Sequence, residues 1–230
     1  MPGDMLHRCV SFVIPVLNEE EGIGVLLLDL RQRYPGSELI VVDGGSSDQT
    51  VAAAMPLCDH LLAGEPGRAT QMNLGGRVAK GEYILFLHAD SCPGIDAEGL
   101  EACLVGQPQW GFCRVRLSGD RAVFRIIEWF INQRSRLTSV ATGDQMLFLR
   151  SSLFQRTGGF DVIPLMEDVA YCKHLRRLAR PLVINVPVTT SSRRWEEQGV
   201  ARTILRMWLL RLAYFLGVSP ERLWRHYYGR

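Results

Sequence analysis

Residues 83–90 read YILFLHAD, an uncharged apolar run that stops at His88, Ala89 and Asp90. A carboxylate at the end of such a run can hold a divalent cation, and the cation a phosphate. It can equally cap the turn or helix beginning near Ser91, Cys92 and Pro93. Two further runs end in the same way. VSFVIP (Val10 to Pro15) opens into Val16, Leu17, Asn18 and Glu19, and ELIVVD runs into Asp43-Gly44-Gly45-Ser46-Ser47-Asp48. Two glycines there permit close approach of a ligand, while Ser and Asp can cap a helix starting near Gln49. Glu167-Asp168 places adjacent carboxylates at a predicted helix start, suited to taking a proton from a hydroxyl or simply to the favourable end of the helix dipole. Arg68 lies near a helix N-terminus, where an anionic ligand or solvent would compensate it. Ser191-Ser192-Arg193-Arg194-Trp195 offers guanidinium groups for a diphosphate and an aromatic platform, or a solvated basic turn with a packing Trp.

The elements that must position these residues alternate strand and helix in the first half. Ile23, Leu26, Leu27, Leu30 and Tyr34 follow one helix face, ended by Pro35 and Gly36. Strand, helix, strand in that order implies a right-handed crossover and a parallel pair. Glu19, Asp43, Asp48 and Asp90 should therefore gather at one sheet edge, where open α/β sheets bind ligands. The spacing further predicts a short strand at 60–62, a helix of small residues over 67–79, a helix around 98–105 and a strand at 110–117. Beyond these come a helix over 122–140, strands at 145–149 and 181–186, and a helix over 168–178. The expected fold is α/β, one domain with a mostly parallel central sheet and helices on both faces. A soft boundary near Ser118–Asp120 separates a nucleotide-binding half (9–118) from an acceptor half (119–199), followed by a helical tail (200–230).

The chain has 230 residues, enough to bury one sizeable α/β core, with 47% apolar and 22% charged residues. A net charge of +2 gives no argument for nucleic acid. Six cysteines are scattered without C-x-x-C or zinc spacing, which suits a reducing compartment. The N-terminal MPGDMLHRCV has no basic stretch followed by a long apolar one, so it is read as lacking a signal peptide and the expected location is cytoplasmic. Neither a Walker A loop nor G-x-G-x-x-G occurs.

Residues 200–218 (VARTILRMWLLRLAYFLGV) are apolar with interspersed arginines, too short in uncharged length to span a membrane. Arg202 and Arg206 fall near each other on a helix and Arg211 on another side, so no clean amphipathic stripe is expected. A packed helix competes with an interfacial one making peripheral membrane contact through 200–230.

Taken together, VIPVLNEE at 13–20, VVDGGSSDQT at 41–50, GRATQMN at 67–73, LFLHAD at 85–90, GDQ at 143–145, MEDV at 166–169 and SSRRW at 191–195 make the chain resemble family 2 glycosyltransferases of the GT-A fold. The resemblance implies a Rossmann-like sheet, a metal-dependent transfer from a nucleotide-diphosphate sugar (a UDP-sugar favoured) to an acceptor hydroxyl, and inversion by direct displacement. It implies that Pro15, Glu19, Asp43 and Asp48 hold the nucleoside, that Arg68 holds the nucleotide, and that Gln71, His88 and Ala89 line the same donor site. Asp90 would match the last Asp of D-x-D and bind Mg²⁺ or Mn²⁺, with His88 in place of the first. Asp168 would be the base, with Glu167 its reserve. Gly143, Asp144, Gln145, Arg194 and Trp195 would face acceptor and donor sugar. Gly44 departs from the pattern, where many members carry a second Asp. The competing readings are a nucleotidyltransferase, disfavoured by the acidic loop after the first strand, and a non-catalytic nucleotide-sugar-binding scaffold.

Overall fold

The apolar patterns build an eight-stranded sheet covered by helices on both faces. The computed structural model describes residues 10–229, apart from the side chain of Arg194. Cys9 and most of the segment read as lacking a signal peptide lie outside the described residues. The strands are β1 (Val10–Val16), β2 (Glu38–Asp43), β3 (His60–Ala63), β4 (Tyr83–Phe86), β5 (Ser91–Pro93), β6 (Trp110–Leu117), β7 (Leu147–Arg150) and β8 (Leu182–Thr190), in the order β3-β2-β1-β4-β7-β6-β8-β5. The helices are α1 (Ile23–Arg33), α2 (Thr50–Ala54), α3 (Arg68–Val78), α4 (Ala97–Leu104), α5 (Ala122–Thr138), α6 (Ser151–Thr157), α7 (Glu167–Leu178), α8 (Arg193–Gln198), α9 (Val200–Phe215) and α10 (Pro220–Tyr228).

Strands β3, β2, β1 and β4 are parallel, as the alternating pattern requires. Their side chains divide with period two. Phe12, Ile14, Leu39, Val41, Tyr83 and Leu85 join one core with Leu26, Leu27 and Leu30 of α1, while Val13, Ile40, Val42, Ile84 and Phe86 join another with Met72 of α3. The small residues of α3 let it lie close on the sheet, since a Cβ on Gly75 would strike Val13.

Beyond β4 the sheet is mixed. Strand β7 is antiparallel to β4 and β6, β8 is parallel to β6, and β5 is antiparallel to β8. An apolar run marks a strand without giving its direction, so this half was not readable from periodicity. The strand expected from Gln145 starts at Leu147, because Gly143–Gln145 form a 3₁₀ turn closed by Thr142 and Gln145. The last strand continues to Thr190, four residues past its expected end, through Pro187 just after a register irregularity.

The tail also differs from expectation. Helix α9 carries two apolar faces, one holding Leu210 in the core and one turned outward, so an outward stripe exists where none was expected.

Candidate active site

The loops after β1 and β2 are stitched into one unit. The Glu19 N–H donates to Thr50 Oγ1 at 2.7 Å, the Glu20 N–H to Asp48 Oδ2 at 3.2 Å, and the Asn18 N–H to Ser46 Oγ at 2.9 Å. In return the Ser47 N–H donates to Asn18 Oδ1 at 2.9 Å. Asp43 is buried and accepts from the Gly45 and Ser46 N–H groups and from Ser46 Oγ. Asp48 accepts from Thr50 and Glu20; desolvation opposes these bonds, and their net effect holds its carboxyl below the usual range. Glu19 is raised, by burial first and then by Asp90 and Asp48, against the pull of Arg193 and His88. Glu19, Asp48, His88 and Asp90 follow the carboxyl ends of β1, β2 and β4, and Glu19 feels the charges of the other three.

Asp90 is exposed, and Ser91 Oγ donates to it at 3.2 Å. Its carbonyl accepts the Ser191 N–H at 3.2 Å, and β5 pairs Ser91 with Thr190. This short pairing carries the SSRRW segment to the D-x-D position.

The second cluster is built by the 143–145 turn and the start of α7. The Gly143 N–H donates to Asp168 Oδ2 at 2.9 Å, and the Val169 N–H to Asp168 Oδ1 at 2.6 Å. A Cβ on Gly143 would collide with the Cε1 and Nε2 atoms of His88, whose Nδ1 stands 3.5 Å from Asp144 Oδ1. Glu167 is buried beside Asp168, and both carboxyls are raised. Desolvation is the leading cause for each; Asp168 adds to it for Glu167, while Arg68 pulls both down. Arg68 itself is raised: desolvation works against its charge, and Glu167, Asp144, Tyr228 and Asp168 outweigh it. His88, Thr142, Gly143, Glu167 and Asp168 line one cavity.

Several of the expected site residues also have structural partners. Gln145 is fully buried; its Oε1 accepts from Ser135 Oγ at 2.7 Å and the Thr142 N–H at 3.1 Å, and its Nε2 donates to the Cys113 carbonyl at 3.2 Å. Those bonds anchor the turn. Gln71 Nε2 donates to the carbonyls of Val16 and Val42 at 2.9 and 2.8 Å, tying β1 to β2. A Cβ on Gly44 would stand 2.9 Å from that nitrogen, so a larger residue there would crowd the Gln71 amide. Ala89 is packed in the core, Pro15 pairs in register with Val42, and Trp195 packs on the Leu117, Phe124 and Ile127 cluster. The Arg194 side chain lies outside the described residues.

Two further arginines stand near these carboxylates, Arg193 from the basic segment already singled out and Arg134, which sequence reasoning missed. Arg193 reaches the field of Glu19. Arg134 is lowered by burial against the attraction of Asp168, and its Nε has no hydrogen-bond partner among the described residues. The only sequence signal for Arg134 was its place late in an amphipathic helix.

Residues 11–97 match the model of glycosyl transferase family 2. An uncharacterised glycosyltransferase of Mycobacterium tuberculosis is 35% identical over 193 residues, covering 78% of this chain and 71% of the relative. The chain belongs to glycosyl transferase family 2. Among solved structures, this family 2 glycosyltransferase superposes on S. aureus TarS in complex with UDP-GlcNAc with a TM-score of 0.62 at 19% identity, over 80% of this chain and 58% of that one. It superposes on the mannosyltransferase PcManGT of Pyrobaculum calidifontis, in complex with GDP-Man and Mn²⁺, with a TM-score of 0.57 at 23% identity, over 79% and 56%. The glycosyltransferase thus spans less than two thirds of either solved chain, and both likenesses bear on fold.

Proposed function

We propose that this glycosyltransferase moves a sugar from a nucleotide-diphosphate sugar to an acceptor hydroxyl, with Asp168 as the base and inversion at the anomeric carbon. The observation that supports it most is the joining of the two clusters through His88. That side chain stands at the end of β4 near Glu19 and also lies on Gly143, whose N–H holds Asp168. Donor-side and base-side residues therefore share one cleft.

Each residue then has a physical task. The stitched loops 16–20 and 43–50 present Glu19 and spare loop edges to the nucleoside. Arg193, Arg68 and Arg134 supply positive charge where the diphosphate leaves. Asp168, raised by burial, accepts the acceptor proton, and the Gly143 N–H fixes its carboxylate while it does so. Glu167 gives a second reading for the base: its carboxyl is held by its own backbone, whereas that of Asp168 accepts from both Gly143 and Val169.

The residues fit a divalent cation at Asp90. No group of three His, Cys, Asp or Glu side chains able to hold an ion occurs among the described residues, and an exposed single carboxylate suits Mg²⁺ or Mn²⁺ completed by water and substrate phosphates. Such a cation would stabilise negative charge on the departing diphosphate. His88, which stands against Gly143 and 3.5 Å from Asp144, is proposed as a positioning residue in that cleft. UDP- and GDP-sugars, which the two solved neighbours bind, are the donors to test first.

The test is thermal unfolding with UDP, GDP, CDP and dTDP, each with and without Mn²⁺. Metal-dependent stabilisation by one nucleotide that Asp90→Asn abolishes supports the reading. Absence of stabilisation by all four contradicts it.

A further inference from the structure

Helix α9 is apolar on two sides. Leu210 points inward and is 4% exposed, whereas Leu205, Trp208, Leu209, Leu212, Phe215 and Leu216 face outward, Trp208 at 68% and Phe215 at 78% exposure. At about 100° per residue these six occupy about 120° of the circumference, with Arg202 just outside one margin and Arg211 just outside the other. Helix α5 repeats the arrangement. Phe124 and Ile127 are buried, while Ile126, Trp129, Phe130 and Leu137 are exposed, Leu137 at 82%. The helices are neighbours: Val123 and Ile131 of α5 and Val200 and Ile204 of α9 pack on one small cluster. By helical position Val123 borders the outward arc of α5 and Ile204 that of α9, so the arcs adjoin along this seam. On the opposite margin of the α5 arc, Arg114, Asn132, Gln133, Arg136 and Asn185 line a cavity of about 80 Å³.

We propose that this two-helix face docks on an anionic phospholipid surface, its apolar arcs entering the headgroup boundary and its marginal arginines meeting lipid phosphates. Charge selects this occupant. Residues 200–219 contain no Asp or Glu, and a two-fold contact with a second copy would set one arginine margin against another. The helices lie on the surface, since no described helix is long and apolar enough to cross a membrane. The inference is independent of the donor and base assignments.

The full chain is floated with vesicles of phosphatidylcholine and with vesicles of equimolar phosphatidylcholine and phosphatidylglycerol. Capture by the anionic vesicles alone, weakened by salt, is expected. The double variants Trp208→Glu/Leu212→Glu and Trp129→Glu/Phe130→Glu each lower the affinity by about tenfold or more, and Arg202→Gln/Arg211→Gln removes the preference for anionic lipid. All six side chains lie on or beside an outward arc, so thermal unfolding should stay near that of the parent. No capture at low salt, or capture unchanged in all three variants, overturns the proposal. So does a dimer in sedimentation that the apolar variants dissociate while no vesicle binds, which assigns the face to a second copy.

Discussion

The backbone N–H of Gly143 holds the Oδ2 of Asp168 at 2.9 Å, across 25 positions of sequence. The same glycine supports the His88 ring, so a methyl group there must move either the ring or the turn. Gly143→Ala should cost about 1–3 kcal/mol through overpacking and lower turnover more than donor affinity, read from urea unfolding and steady-state kinetics. An alanine variant with parental turnover would separate the turn from the chemistry.

Gly44 and Gln71 are coupled by space. Gln71→Ala removes the side-chain donor shared by the Val16 and Val42 carbonyls, the first of which keeps the Gly44 N–H, and should destabilise by about 1–2 kcal/mol. Gly44→Ala should also destabilise, yet by less in the Gln71→Ala background, where the crowded amide is gone. A double-mutant cycle by chemical denaturation should give a coupling of about 0.5 kcal/mol or more. Simple additivity would mean the amide swings away without consequence.

The raised carboxyls of Glu167 and Asp168 fix the sign of two pH effects. A base must be deprotonated to act, so the acid limb of kcat/KM should lie above the ordinary carboxylate range. Arg68→Gln removes a charge that lowers both groups and should move that limb further up. Stability runs the other way. The folded state holds the protons more tightly than the unfolded chain, so the contribution of the pair is full below the unfolded pKa values and is lost as pH rises through the raised folded ones. Glu167→Gln should therefore unfold at a higher temperature than the parent at about pH 8, with the difference shrinking toward about pH 4. A constant difference across that range would reject burial as the cause.

The chemistry-bearing loops were legible because apolar runs that stop at a carboxylate report a parallel strand end directly. Glu19, Asp43 and Asp90 were expected at one sheet edge in this way, and they follow or end the parallel strands β1, β2 and β4. What pairs over long sequence distances was not legible. Strand β5 is three residues ending in proline, and its partner lies about a hundred positions away at Thr190; locally it looks like a turn. Gln71 and Gln145 are polar residues in ligand-like segments, and only the tertiary fold shows their amides spent on buried backbone. Arg134 was hidden for the converse reason. Helical periodicity sorts residues by face, but it does not show that one half-buried arginine lies within the field of a carboxylate on another helix.

The base assignment is the centre of the account, and its direct measurement is nucleoside diphosphate release from UDP- and GDP-sugars in the presence of Mn²⁺, for the parent, Asp168→Asn and Glu167→Gln. The account predicts release from one donor class, a fall of about 100-fold or more in Asp168→Asn, and unaltered stabilisation of that variant by the same nucleotide. Parental release by Asp168→Asn would contradict it, and a loss confined to Glu167→Gln would transfer the role to the neighbouring carboxylate.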